Sequence, residues 1–221
     1  MANEMAIIPA ASLVAPVRLN KTSRVLAIRE AKTYQADYVP HLSTDDVRRM
    51  AELAAQHRRN GERDSLLVLT LFDGCFRVSE AISIRPGDIK EAGAGWIVSI
   101  LGKGHKRGTA AISSGLAAKL QAYAYRRELA STERLFPISR SRAFQIVQAL
   151  MAAAGITKPD GVGACHVLRH SGALARLKQT GNPKAVQEQL RHSTAQMTLR
   201  YMKTLSHAEA LDVQAGVNYN W

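Results

Sequence analysis

The sequence predicts a mainly α-helical domain interrupted by one β-hairpin, and three observations lead there. Alanine is abundant while aromatic residues make up only 5% of the chain against 46% hydrophobic residues overall, a balance that suits helices better than sheets. Apolar positions recur at helical spacing behind recognisable caps. One run, Trp96-Ile97-Val98-Ser99-Ile100-Leu101, is instead built of β-type residues, and Thr109-Ala110-Ala111-Ile112 follows after a glycine-bounded loop, which reads as a hairpin.

Taken in order, residues 1–40 hold no sustained period but carry Lys21, Arg24, Arg29 and Lys32, and read as a basic, loosely ordered N-terminal arm. Ser43-Thr44-Asp45-Asp46 has capping-box form, and Val47, Met50, Leu53 and Ala54 continue a helical stripe. Ser65 to Phe72 is apolar on nearly all sides and should be a buried helix. Gly74 breaks it, leaving Arg77 at the mouth of the next element, with Glu80 three residues on. Arg85-Pro86-Gly87-Asp88 is a turn. Beyond the hairpin, residues 114–130 form a helix with Leu116, Leu120 and Tyr123 inward. Ser139 to Ala154 forms another, with Arg140 and Arg142 in its first turn. Cations there oppose the helix dipole, which suggests an anion nearby.

The most informative stretch runs from His166 to Tyr201. In a helix over 166–180, His166 and Arg169 lie one turn apart on one face. Gly181, Asn182 and Pro183 supply a C′ glycine, a cap and a first helical position. The helix they start ends near His192. Ser193 or Thr194 can cap a third, placing Met197 and Tyr201 at i and i+4.

Arginine, histidine and tyrosine without an acidic pair or a cysteine cluster suit a phosphodiester. A guanidinium matches its two non-bridging oxygens, an imidazole holds an oxygen or moves a proton, and a phenol can attack phosphorus to give a covalent intermediate. Cys165, His166 and His170 have metal-ligand spacing in part, but no carboxylate accompanies them and Arg169 would repel a cation. His170 reads instead as a structural residue behind Arg169.

Composition agrees. Thirty Lys+Arg against 18 Asp+Glu give a net charge of +12, so a polyanion is the expected partner. The two cysteines, Cys75 and Cys165, are too few for a disulfide framework and imply a reducing cytoplasm. No apolar run approaches the roughly 20 residues of a membrane span, and the N-terminus lacks the order of a signal peptide.

His166-x-x-Arg169, Leu168-Arg169-His170-Ser171, Gly181-Asn182, His192 and Tyr201, in that order and spacing, resemble the C-terminal signature of the tyrosine recombinase (phage integrase) family. The resemblance covers about residues 42–213. It implies an α+β, mainly α-helical catalytic-domain fold with a small antiparallel β-sheet over 41–213, followed by a tail at 214–221. About 40 preceding residues are too few for the family's usual DNA-clasping domain, so the chain resembles its short, single-domain members.

By the same resemblance, Arg77 matches the first catalytic arginine, Glu80 a supporting acid that orients Arg77 or a histidine, and Arg169, His166 and His192 the remaining phosphate ligands. Tyr201 is the nucleophile. Lys103, in the loop Gly102-Lys103-Gly104-His105-Lys106-Arg107-Gly108, matches the lysine that protonates the leaving 5′-oxygen; spacing alone does not separate it from Lys106. Lys106, Arg107, Arg140 and Arg142 are the candidate DNA contacts. The expected activity is site-specific recombination of double-stranded DNA through a 3′-phosphotyrosyl link, without ATP, metal or cofactor. A homo-tetramer would act on DNA, and a monomer in free solution is compatible with it. Strand relaxation of the type IB topoisomerase kind and a non-catalytic DNA-binding regulator of the same fold are the alternatives.

Overall fold

The computed structural model describes residues 39–56, 59–93, 95–101, 107–192 and 194–205. Lys103, Lys106, Ser193, nearly all of the N-terminal arm and the tail beyond Leu205 lie outside these residues, as does the side chain of Arg107.

Among the described residues the chain forms eight α-helices and a three-stranded sheet: α1 Thr44–Ala55, α2 Gly61–Asp73, α3 Val78–Ala81, a 3-10 turn at Pro86–Asp88, β1 Ile89–Ala92, β2 Gly95–Leu101, β3 Arg107–Ile112, α4 Ser114–Arg126, α5 Arg140–Ala153, α6 Ala164–Thr180, α7 Pro183–Leu190 and α8 Ala195–Thr204. None of the described helices is long and apolar enough to cross a membrane.

Local chemistry explains most boundaries. Ser43 caps α1, its Oγ accepting from Asp46 N–H at 3.0 Å, and Ser139 caps α5 in the same way through Arg142 N–H at 3.1 Å. Gly181, at φ 59°, ends α6 in the left-handed region. Asn182 Oδ1 then accepts from Ala185 N–H at 3.0 Å to start α7, with Pro183 in its first turn.

Two boundaries differ from the expectation. The buried second helix starts at Gly61 rather than Ser65, and Gly61 lies against α1: a Cβ there would stand 2.5 Å from Ala54 O. The helix after the hairpin stops at Arg126, before Glu128 enters positive φ. The hairpin itself extends by a third strand. β1 pairs antiparallel with β2 from Ile89↔Val98 to Ala92↔Gly95, and β2 with β3 from Trp96↔Ile112 to Leu101↔Arg107.

Helix α2 is the centre of the main core. Leu67, Val68 and Leu71 are fully buried, with α1, α4 and α6 packed around them. Its approach to α6 is close: a Cβ on Gly172 would meet Phe72 O at 1.8 Å, so only glycine allows the two backbones to lie this near. Asp73 at the end of α2 accepts from Arg176 Nη2 at 2.7 Å and from Ser113 N–H, joining α6 and the start of α4. A second, smaller core of Val39, Cys75, Ala173, Leu174, Leu177, Val186, Leu190 and Tyr201 binds α7 and α8 to α6. The candidate site borders this second core through Val39 and Tyr201.

Candidate active site

Arg77 follows a sharp turn. Gly74 closes α2, Cys75 adopts φ 50°, and Arg77 takes the extended N-cap position of α3. Glu80 is only 4% exposed; it accepts from Arg77 N–H at 2.7 Å and from Arg77 Nη1 at 2.9 Å. Of the two partners expected for Glu80, the structure therefore selects the arginine.

Arg169, on α6, is the largest fully buried side chain among the described residues. Its Nη1 donates to Cys75 O at 2.6 Å and its Nη2 to Leu190 O at 2.8 Å, with Glu80 Oε2 3.7 Å from Nη1. Burial, and then the neighbouring Arg77, push its pKa down to about 10, so it remains cationic near neutrality. A third guanidinium, Arg191, reaches the same carboxylate, Nη2 to Glu80 Oε2 at 2.7 Å. Three arginines therefore surround one acid. A partly buried cluster with more cations than anions favours a further anion, and planar guanidiniums suit a phosphate.

The imidazoles come next. His166 and His170 stand one turn apart on α6, their rings edge to face at 4.5 Å. His192, just past α7, lies over the Tyr201 ring at 6.1 Å, its Nδ1 3.1 Å from Thr198 Oγ1. Burial is the main cause holding all three below the usual imidazole range. His170 falls to about 3, helped by His166 and Arg169; His192 falls to about 4, helped by Arg169 and Arg77; His166 is lowered with help from the same two arginines. At neutral pH each is an uncharged ring able to accept a proton.

Tyr201, on α8, is 3% exposed. Burial raises its phenol to about 12, so removing the proton at pH 7 costs about 7 kcal/mol. Its hydroxyl lies 2.6 Å from His170 Nδ1. His170, expected as a structural residue behind Arg169, thus also holds the tyrosine hydroxyl of α8.

Arg77, His166, Arg169, His192 and Tyr201 all border one cavity of about 210 Å³. Five of the six residues expected to be catalytic are thus brought together from α3, α6, the segment after α7, and α8; Lys103 lies outside the described residues. Arg140 and Arg142 do not border this cavity and stand exposed at the start of α5. Among the described residues no group of three or more His, Cys, Asp or Glu side chains is placed to hold a metal ion. A larger groove, about 810 Å³, opens along the Gly172–Arg176 side of α6 but gathers none of the expected site residues.

Sequence reasoning missed Gln189 and Arg191. Gln189, 8% exposed, accepts from Ala111 N–H at 2.9 Å and donates to Gly74 O at 3.0 Å, tying α7 to β3 and to the turn before Arg77. The available signal was a glutamine on the same helix face as Val186, next to Leu190 on the buried side.

Comparison with known proteins identifies the family and the fold. The pattern of the phage integrase family matches residues 40–207. Tyrosine recombinase XerC of Nitrobacter winogradskyi is 28% identical over 197 residues, 83% of this chain and 60% of its own length, so the chain spans less than two thirds of that relative. The fold is similar to that of XerH site-specific recombinase bound to palindromic difH substrate in a post-cleavage complex, with TM-score 0.66, 21% identity, and coverage of 82% of this chain and 54% of that one. It is also similar to the catalytic domain of bacteriophage HP1 integrase, with TM-score 0.59, 24% identity, and coverage of 82% and 98%. With the family pattern extending over most of its length and the fold matching that of an integrase catalytic domain, the chain belongs to the phage integrase family.

Proposed function

We propose that the protein is a site-specific DNA recombinase that cuts and rejoins strands through Tyr201. One observation carries the reading: Arg77, Arg169, His166 and His192 border the same small cavity as the buried phenol. In this mechanism the two guanidiniums hold the non-bridging oxygens of the scissile phosphate and stabilise charge as it grows. Tyr201 Oη attacks phosphorus while its proton passes to a neutral imidazole of the cluster. The P–O5′ bond breaks, and Lys103 gives the leaving oxygen its proton. The products are a 3′-phosphotyrosyl link and a 5′-hydroxyl. A second 5′-hydroxyl then reverses the chemistry on another strand, and because the link conserves the bond energy, no ATP is needed.

Residues 41–213 form the catalytic domain in this proposal, with a basic arm at 1–40 and a tail at 214–221. The partner is duplex DNA, in keeping with the net charge of +12 and with the DNA-bound state of the similar XerH structure. Exchange between two duplexes would require four protomers.

The test is incubation of the protein with a pool of nicked duplexes, followed by denaturing electrophoresis. A covalent protein–DNA species is expected with the natural sequence and not with Tyr201→Phe. Salt-dependent DNA retention with no such species would identify a binding regulator instead. Plasmid relaxation with no recombinant product would identify a topoisomerase.

A further inference from the structure

Arg191 sits immediately after α7 at φ 54° and ψ 44°. This left-handed conformation crowds Cβ against the following carbonyl and ordinarily selects glycine. The Arg191 guanidinium bridges Glu80 Oε2 at 2.7 Å and Gln189 O at 2.8 Å, and lies 5.8 Å from the Phe76 ring centroid. Its aliphatic stem rests on β3, where a Cβ on Gly108 would stand 3.1 Å from Arg191 Cδ. One side chain thus touches α3, the turn before it, the first residues of β3 and the end of α7.

Its neighbours in sequence extend the same strap. Gln189 clamps Ala111 and Gly74, the carbonyl of Leu190 receives Arg169, and His192 enters the cavity. Arg191 itself does not border that cavity, so it acts through others.

Resting on the reading of this cluster as a strand-cleaving site, we infer that Arg191 is a positioning residue: by bridging Glu80 to the end of α7 across Gly108, it sets the spacing between Arg77, His192 and the start of β3. A lysine cannot replace it, because an ammonium is a point donor and the bridge needs the planar fork. Glycine in its place would relax the backbone and remove the bridge, whereas lysine keeps the backbone strain and loses only the fork, so the pair of variants separates the two effects.

The experiment compares the full chain with Arg191→Gly, Arg191→Lys, Glu80→Gln and the double variant Glu80→Gln/Arg191→Gly. Without DNA, amide hydrogen exchange at Ala110, Ala111 and His192 should quicken at least tenfold in both Arg191 variants, while Leu67 to Leu71 of α2 keep their protection. Unchanged exchange at β3 and His192 would overturn the inference. On the nicked-duplex pool, adduct formation at saturating DNA should fall at least tenfold with DNA affinity kept within twofold, since Arg191 adds no contact in the cavity. Rates within twofold of the natural protein would overturn it.

The double variant should be no slower than Glu80→Gln alone, because the two residues act through one bridge; multiplied losses would show that Arg191 does not act through Glu80. Should Arg191→Gly lack a cooperative melt, Arg191→Lys carries both arms. Should the natural protein form no adduct at all, the recombinase reading fails, and hydrogen exchange still decides the role of Arg191.

Discussion

Replacing Glu80 with glutamine removes the only carboxylate among the described residues within 4 Å of Arg77, Arg169 and Arg191, while nearly conserving shape. Glu80 has 5% side-chain exposure, Arg169 2% and Arg191 17%, whereas Arg77 has 45%. The Arg77 pair is therefore largely screened and contributes under about 1 kcal/mol. The other two are shielded from water, and removing one member of a buried pair costs about 3–5 kcal/mol because the remaining charges lose their partner. At the low end of that range, about 3 kcal/mol, a chain of this size should melt roughly 6–12 °C lower. Thermal unfolding followed by circular dichroism at fixed ionic strength measures it. The same variant leaves three guanidiniums facing one another, so sulfate should raise its melting temperature more than that of the natural protein when chloride is exchanged for it. A variant that melts within 2 °C of the natural protein, or gains nothing extra from sulfate, would refute the reasoning.

Gly172→Ala should cost about 3 kcal/mol or more, since the new methyl meets Phe72 O rather than a movable side chain; loss of the cooperative melt or a large fall in its midpoint checks this. Acid should destabilise the natural protein through His170. Its folded pKa, near 3, lies below the ordinary imidazole value near 6.5, so the unfolded chain binds more protons between the two. Stability is thus complete above about pH 6.5 and declines as pH falls toward 3, by about 2 kcal/mol from this group at pH 5. His170→Asn lacks that component, so the stability gap between the two proteins should narrow by about this amount from pH 7.5 to pH 5, as read by urea unfolding; a constant gap would contradict it. Tyr201→Phe loses the bond to His170 and should melt only a few degrees lower, about 1 kcal/mol, which separates loss of adduct from loss of fold.

What the sequence disclosed was local. The capping box at Ser43 and the Gly181-Asn182-Pro183 break are complete within a few residues, and each appears where its chemistry requires. The grouping of Arg77 with Arg169 and His192 came from family spacing and not from any local pattern. Strand β1 was invisible because Ile89 is its only buried residue, leaving no alternation to read. The contact of His170 with Tyr201 depends on how α8 lies on α6 across 31 residues, and periodicity within either helix says nothing of that. Arg191 escaped for a related reason: its position follows from a backbone conformation unusual for a side-chain-bearing residue, and its partner Glu80 is 111 residues away.

The most direct measurement is the site of attachment. Covalent adduct formed on nicked duplex DNA, digested with trypsin and nuclease and sequenced by mass spectrometry, should yield the short peptide Tyr201-Met202-Lys203 carrying a nucleotide 3′-phosphate on the tyrosine, with a free 5′-hydroxyl on the released strand. Attachment at any other side chain, or a 5′-phosphate on the released end, would contradict the convergence of these arginines and histidines on a phosphorus beside Tyr201.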